Sequence, residues 1–426
     1  MTSYQNTYQE WLSSQYFDDE TKNELLKIQN DEKEIEDRFY KNLEFGTGGL
    51  RGVIGAGTNR INKYTVRRAT YGLANYILEK CGEEGKAKGV VIAYDSRYKS
   101  EEFSTEAAKT LAACGIKAYI FDSLRPTPQL SFALRHLGCV AGIVITASHN
   151  PPEYNGYKVY WTDGGQVCPD IAKEIITEVN KIEDYSKIPT TDSNNKLIVT
   201  LDETVDTAFC DAVKKQVINQ ELINKVDKDL KIIFTPIHGT GNLPIRRVLS
   251  EVGFENVSVV KEQEMPDSNF STVAYPNPEE KEVFDIAIEM AKTDGADIII
   301  GTDPDCDRVG VVVKDNNGEY IVLNGNQVGS LLVNYVMSNK VEEIKEVHNP
   351  MIVKTIVTSE LGAEIAKSYN VGCVDTLTGF KFIGEKIHQY EEDKSATFVM
   401  GYEESYGYLV GTHARDKDGV VSALLI

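Results

Sequence analysis

The sequence predicts an α/β chain made of successive, similar mixed α/β domains, and three observations predict it. Short apolar runs of strand character alternate with amphipathic helical stretches along most of the length. That alternation restarts twice, giving three cycles. Two of the apolar runs lead straight into polar turns that carry candidate chemistry, Ser148-His149-Asn150-Pro151 and Asp303-Pro304-Asp305-Cys306-Asp307-Arg308.

In chain order, residues 1–45 interleave Glu, Asp and Lys with Leu25, Leu26, Ile28 and Ile35, and read as helices wrapped on the surface of a larger unit. Gly46-Thr47-Gly48-Gly49-Leu50-Arg51-Gly52 then breaks any helix. The first cycle has an amphipathic stretch at 66–78, a strand at 89–94, a helix at 103–114 and strands at 117–121 and 140–145. Strands alternating with helices favour a largely parallel sheet. The segment 186–195, rich in Ser, Thr, Asn, Asp and Pro, is the clearest linker. A second cycle follows: a strand at 231–234, a turn at 236–241, a helix at 245–252 and strands at 257–260 and 297–300. The third begins near Ile321, with a helix through 331–336 and a strand at 351–357. No sequence repeat links the cycles. Domain limits of 1–200, 201–320 and 321–426 follow. Residues 418–426 read as a helix started and then cut, so the third domain is expected to be incomplete.

Composition narrows the function. A chain of 426 residues exceeds one ordinary core. No apolar stretch approaches the roughly 18–20 residues that span a bilayer, and residues 1–8 lack a basic region followed by an apolar one. Seven cysteines without a Cys-x-x-Cys pair argue against a disulfide framework or a cysteine zinc site, and for a reducing, cytoplasmic compartment. A net charge of −20 disfavours nucleic acid and anionic membrane as partners. A small anionic substrate is compatible with it, given a local cluster of basic groups. Oligomeric state is not readable.

Asp303, Asp305 and Asp307 alternate, so in an extended loop their side chains project to one side and converge on one ion. Three oxygen ligands suit Mg²⁺ completed by a phosphate oxygen. An EF-hand starting at Asp303 needs glycine and glutamate where Arg308 and Lys314 stand. A solvated acidic turn is the duller alternative, and the flanking apolar strands argue against it. Ser148 reads equally as a turn serine or a nucleophile, and its loop lacks the Gly-x-Ser-x-Gly of a hydrolase elbow. Arg51 follows glycines whose N–H groups can approach an anion. Lys158 stands one short turn beyond Ser148 and reads by default as a solvated lysine. Glu403 and Ser405, between Gly401 and Gly407, can hydrogen-bond vicinal hydroxyls. A hydroxyl nucleophile with a hard-cation site is what phosphoryl transfer needs.

Taken in order, these motifs resemble the α-D-phosphohexomutase family, and its phosphoglucomutase members most. Thr146-Ala147-Ser148-His149-Asn150-Pro151 is similar to the family's phosphoserine loop and Asp303 to Arg308 to its metal loop. Tyr402-Glu403-Glu404-Ser405-Tyr406-Gly407 is similar to its sugar loop, and Thr378-Gly379-Phe380-Lys381 to its specificity loop. The resemblance implies α/β domains around a central active-site cleft and a phosphorylated Ser148. It implies Mg²⁺ held by Asp303, Asp305, Asp307 and the Ser148 phosphoryl group, with Arg51 and Arg308 offsetting charge in flight. His149 and Lys158 would serve proton transfer, Glu403 and Ser405 the 3- and 4-hydroxyls, and Lys417 substrate orientation. The implied reaction interconverts α-D-glucose 1-phosphate and glucose 6-phosphate through glucose 1,6-bisphosphate. Mannose- or pentose-phosphate specificity is the near alternative. The family's fourth domain, whose loop grips the non-reacting phosphate, is expected to be missing. Weakened turnover, or a non-catalytic sugar-phosphate binding protein, is therefore a further expectation.

Overall fold

The computed structural model describes residues 2–46, 48–226 and 229–426; Thr47 of the glycine cluster lies outside the described residues. Among the described residues the strands form three mixed sheets. The first contains β1 (Phe45–Gly46), β2 (Gly49–Val53), β3 (Val90–Tyr94), β4 (Ala118–Phe121), β5 (Ala141–Ile145), β6 (Tyr154–Trp161) and β7 (Ile198–Leu201) in the order β1-β2-β6-β5-β3-β4-β7. The second contains β8 (Ile232–Thr235), β9 (Val257–Val259), β10 (Ile298–Thr302), β11 (Val309–Lys314) and β12 (Tyr320–Leu323) in the order β12-β11-β10-β8-β9. The third contains β13 (Pro350–Thr355), β14 (Gly372–Thr376), β15 (Thr397–Glu403) and β16 (Gly407–Val410) in the order β14-β13-β15-β16.

Although no sequence repeat is visible, the three sheets share one plan. In each, a buried strand pairs parallel with an earlier strand on one side and antiparallel with its successor on the other: β5 with β3 and β6, β10 with β8 and β11, β15 with β13 and β16. The connection from each such strand to its successor is the serine loop, the aspartate loop and the Glu-x-Ser loop respectively. Each loop turns on one non-glycine residue at positive φ: Ser148 (52°), Cys306 (54°) and Tyr406 (66°). Left-handed backbone costs an L-residue about 1–2 kcal/mol, so surrounding packing must hold these turns. The expected largely parallel layers are thus corrected to mixed ones, and the antiparallel hairpins are what carry the loops.

Several elements depart from their expected limits for local reasons. The amphipathic stretch at 66–78 belongs to a longer helix, Lys63–Lys88, started by Asn62, whose side chain accepts the N–H groups of Tyr64 and Thr65. Lys158 does not follow a short turn but sits inside β6. Ile321 lies in the edge strand β12 of the second sheet, so the third cycle begins with the helix Gly325–Asn339. We take each sheet with its helices as one domain, which moves the limits drawn at 200 and 320 just past Leu201 and Leu323. The helices Ser3–Ser13, Asp19–Lys27 and Glu32–Phe39 enclose a small aromatic core in which Trp11 stacks on Phe17 at 4.1 Å. Residues 418–426 contain a helix, Gly419–Leu425, capped by Asp418, which accepts the N–H groups of Val420 and Val421. Its first residue donates its N–H to the Cys306 carbonyl at 3.0 Å, seating the helix on the aspartate loop. A Cβ on Gly419 would stand 2.6 Å from that oxygen, so glycine permits the approach. All seven cysteines are free thiols.

Candidate active site at the three hairpin loops

Ser148 closes the turn after β5 and is buried. Its N–H donates to Thr146 Oγ1 at 2.8 Å, and its Oγ donates to Asp303 Oδ2 at 2.7 Å, from the second sheet's loop. His149 Nδ1 stands 3.2 Å from the same Oγ. Burial, and then the positive Arg308, push the His149 pKa down to about 3, so its ring is neutral near pH 7. The serine hydroxyl therefore meets a carboxyl group and a neutral imidazole.

Asp303, Asp305 and Asp307 are all buried, and one ligand oxygen from each lies within 4.8 Å of the others. Asp303 Oδ1 accepts the N–H groups of Asp307 and Arg308, both at 3.0 Å, which shapes the loop. Asp305 Oδ2 accepts from Thr127 Oγ1 at 2.7 Å and Lys158 Nζ at 2.8 Å. Asp307 Oδ2 is 3.3 Å from Lys158 Nζ and 3.0 Å from Lys417 Nζ. Burial and the charges of Asp305 and Asp307 push the Asp303 carboxyl well up. Against burial, Lys158 holds Asp305 down, while Lys417 and Lys158 hold Asp307 down. Two oxygens, Asp305 Oδ1 and Asp307 Oδ1, are buried without any hydrogen-bond partner. Orphaned carboxylate oxygens beside a third carboxylate are costly without a cation. The three residues fit a hard divalent metal on that ground.

Lys158 is not a solvated lysine. Its side chain is 12 % exposed, and Asp305 and Asp307 hold its pKa above the usual lysine range despite burial. Arg308 pairs with Glu279, and Arg51, on β2 and exposed, donates to Asn150 Oδ1 at 3.1 Å. Glu403, at the end of β15, is buried, and its Oε1 accepts the Gly379 N–H at 3.0 Å. That bond ties the 378–381 loop, with exposed Thr378 and half-buried Lys381, to the loop holding half-buried Ser405. Burial raises the Glu403 pKa against the pull of Lys417. The structure thus brings Ser148, His149, Lys158, the three aspartates and Lys417 into one connected cluster, and joins Glu403 to the Gly379 turn.

With that geometry in hand, the comparisons decide the family. Residues 42–186, 207–318 and 324–426 match the models of the phosphoglucomutase/phosphomannomutase alpha/beta/alpha domains I, II and III. The chain belongs to this family. A phosphoglucomutase of Staphylococcus haemolyticus is 40% identical over 392 residues, which is 92% of this chain and 69% of that protein. A phosphoglucomutase of Staphylococcus aureus is 37% identical over 400 residues, covering 93% of this chain and 70% of that protein. The crystal structure of a putative phosphomannomutase from Thermus thermophilus superposes with a TM-score of 0.72 at 27% identity, covering 90% of this chain and 79% of that one. As a member of the phosphohexomutase family, the protein is an isomerase of the intramolecular phosphotransferase kind, a sugar-phosphate mutase. No helix among the described residues is long and apolar enough to cross a membrane.

Sequence reasoning missed the residues that hold this cluster together. Thr127 starts an unforeseen helix, Thr127–His136, and donates both its N–H (2.9 Å) and its hydroxyl to Asp305. Arg97 and Asp95 hold the serine loop from beneath, and Tyr160 and Asp416 lie behind Lys417. Asp95 and Arg97, one and three residues beyond β3, carried the one available signal: charge directly after a fully apolar strand.

Proposed function

We propose that the protein interconverts α-D-glucose 1-phosphate and glucose 6-phosphate, with Ser148 as the phosphoryl carrier and glucose 1,6-bisphosphate as the intermediate. The observation that carries this reading is the Ser148 hydroxyl 2.7 Å from a buried three-aspartate cluster with two unpartnered oxygens. Asp303, Asp305 and Asp307 would hold Mg²⁺, together with an oxygen of phosphorylated Ser148. When bound, that ion supplies positive charge against the phosphoryl oxygens.

The remaining roles belong to the chain. Neutral His149 is placed to take the proton of a hydroxyl at Ser148 Oγ, and the Lys158 ammonium to give one to a leaving oxygen. Arg51, bonded to Asn150 of the serine turn, and Arg308, at the end of the aspartate loop, add positive charge for the travelling phosphoryl group. Glu403 and Ser405 hold the 3- and 4-hydroxyls of the sugar, and the tied Thr378-Gly379-Lys381 loop and Lys417 orient it. Those two hydroxyls exchange places when the ring is turned over, so one clamp serves both binding orientations. The named relatives at 37–40% identity favour glucose over mannose or pentose phosphates.

The test is a coupled assay of glucose 1-phosphate conversion with Mg²⁺ and a trace of glucose 1,6-bisphosphate. Steady glucose 6-phosphate formation, with phosphate found on the Ser148 peptide, is the expected result. A folded protein that binds the sugar phosphate without converting it would replace the mutase reading with a binding protein. The cation reading has its own check. Mg²⁺ at one hundred times its dissociation constant stabilises by about 2.7 kcal/mol, raising the melting temperature by several degrees, and Asp305→Asn is expected to remove that rise.

A further inference from the structure

Lys417 is held by contacts from its own loop and from three other parts of the chain. Tyr160 stands on β6 two residues after Lys158, so strand alternation puts both side chains on one face of the sheet. The Tyr160 ring is fully buried, and its hydroxyl donates to Asp416 Oδ2 at 2.6 Å, 256 residues away in sequence. Asp416, itself buried, uses its other oxygen to accept the Lys417 N–H at 2.8 Å, and that oxygen lies 3.6 Å from Lys417 Nζ. The Lys417 stem crosses Gly407, where an added Cβ would fall 2.0 Å from its Cδ. The ammonium lies 5.9 Å from the Phe380 ring centroid and 3.0 Å from Asp307 Oδ2.

We propose that Tyr160 and Asp416 are a positioning pair that fixes the Lys417 ammonium between the aspartate cluster and the Glu403 loop. A phenol buried only for packing does not need its oxygen, and a buried hydroxyl is costly unless it has a partner. Here the partner is a carboxylate, and such charge-assisted bonds are short and strong. Burial and then the Asp416 charge push the Tyr160 hydroxyl well above the ordinary phenol range, so it remains a donor. The pair also joins the first sheet to the 411–418 loop, so Lys158 and Lys417 reach Asp307 from one rigid frame.

The inference draws on the mutase reading only for what Lys417 serves, and its test separates the two. Lysines of the full chain are reductively methylated with formaldehyde and borane, and the rate at Lys417 is read by mass spectrometry beside that at exposed Lys215. Tyr160→Phe keeps the ring; it is expected to speed methylation of Lys417 at least about threefold, with Lys215 unchanged and melting within a few degrees. An unchanged Lys417 rate overturns the proposal, whether or not the protein turns over sugar phosphate. Should Tyr160→Phe fail to fold, Asp416→Asn decides by the same readout. In turnover, Tyr160→Phe is expected to lower kcat/KM about tenfold in the wild-type background and to add nothing in Lys417→Met. Equal losses in both backgrounds would mean that Tyr160 acts on structure alone.

Discussion

Ser148→Ala is expected to lower mutase turnover by at least about a thousandfold, since no other group can take over the part of a covalent carrier. The substitution isolates chemistry from structure unusually well. Serine and alanine tolerate the left-handed backbone at position 148 equally poorly, so the turn itself is not altered. What is lost is one hydroxyl donor to Asp303, which keeps the N–H groups of Asp307 and Arg308. Hydrogen bonds to charged groups contribute about 1.5–3 kcal/mol, an upper bound here because two donors remain. Ser148→Gly removes the same hydroxyl and relieves the positive φ, and is expected to be the more stable of the two. Both should be equally inactive in the coupled assay. Turnover within tenfold of wild type in either variant would rule out Ser148 as the phosphoryl carrier.

The loops that carry chemistry were legible in the sequence because each is a polar turn after an apolar run, and both features are local. The serine and aspartate loops announce themselves by residue type and spacing, without reference to anything distant. Their supports are not local. Thr127 reaches Asp305 across 178 residues and Tyr160 reaches Asp416 across 256, contacts that no window of sequence displays. Antiparallel β6 was missed for a different reason. It is buried on both faces yet three of its eight residues are tyrosine and only Val159 is aliphatic, so it shows neither alternation nor an aliphatic run. That omission made Lys158 look like a loop residue, when its strand pairs with β5 and β2 and aims it at Asp305. The shared plan of the three sheets was invisible because it resides in pairing order, and pairing order leaves no repeat in the residues.

Arg97→Met is expected to be among the most damaging single substitutions outside the reacting groups. The Arg97 side chain is fully buried, and its guanidinium donates to four carbonyls of the serine loop and the start of β6: Ser148 and Asn150 at 2.5 Å, Pro151 at 2.8 Å and Tyr154 at 3.2 Å. Its Nε lies 3.3 Å from Asp95 Oδ2, and its face lies 5.0 Å from the Phe270 ring centroid, supplied by the second domain. Asp95 in turn accepts from Thr146 Oγ1 at 2.6 Å and Ser100 Oγ at 2.8 Å. Methionine fills much of the volume but supplies neither donor nor charge: the Ser148, Asn150 and Tyr154 carbonyls lose this donor, Pro151 keeps only the Tyr154 N–H, and buried Asp95 loses its counter-charge. Breaking a buried pair from one side costs about 3–5 kcal/mol. A melting decrease of roughly 10 °C follows for a domain of this size, measured by calorimetry. Arg97→Lys should recover part of the stability, because the charge facing Asp95 is kept. It should recover little of the turnover, because one ammonium cannot span four carbonyls as a planar fork does. The strained turn at Ser148 depends on those carbonyls being held, beside its own bonds to Thr146 and Asp303. Full activity in Arg97→Lys would therefore mean that the turn keeps its shape without the fork.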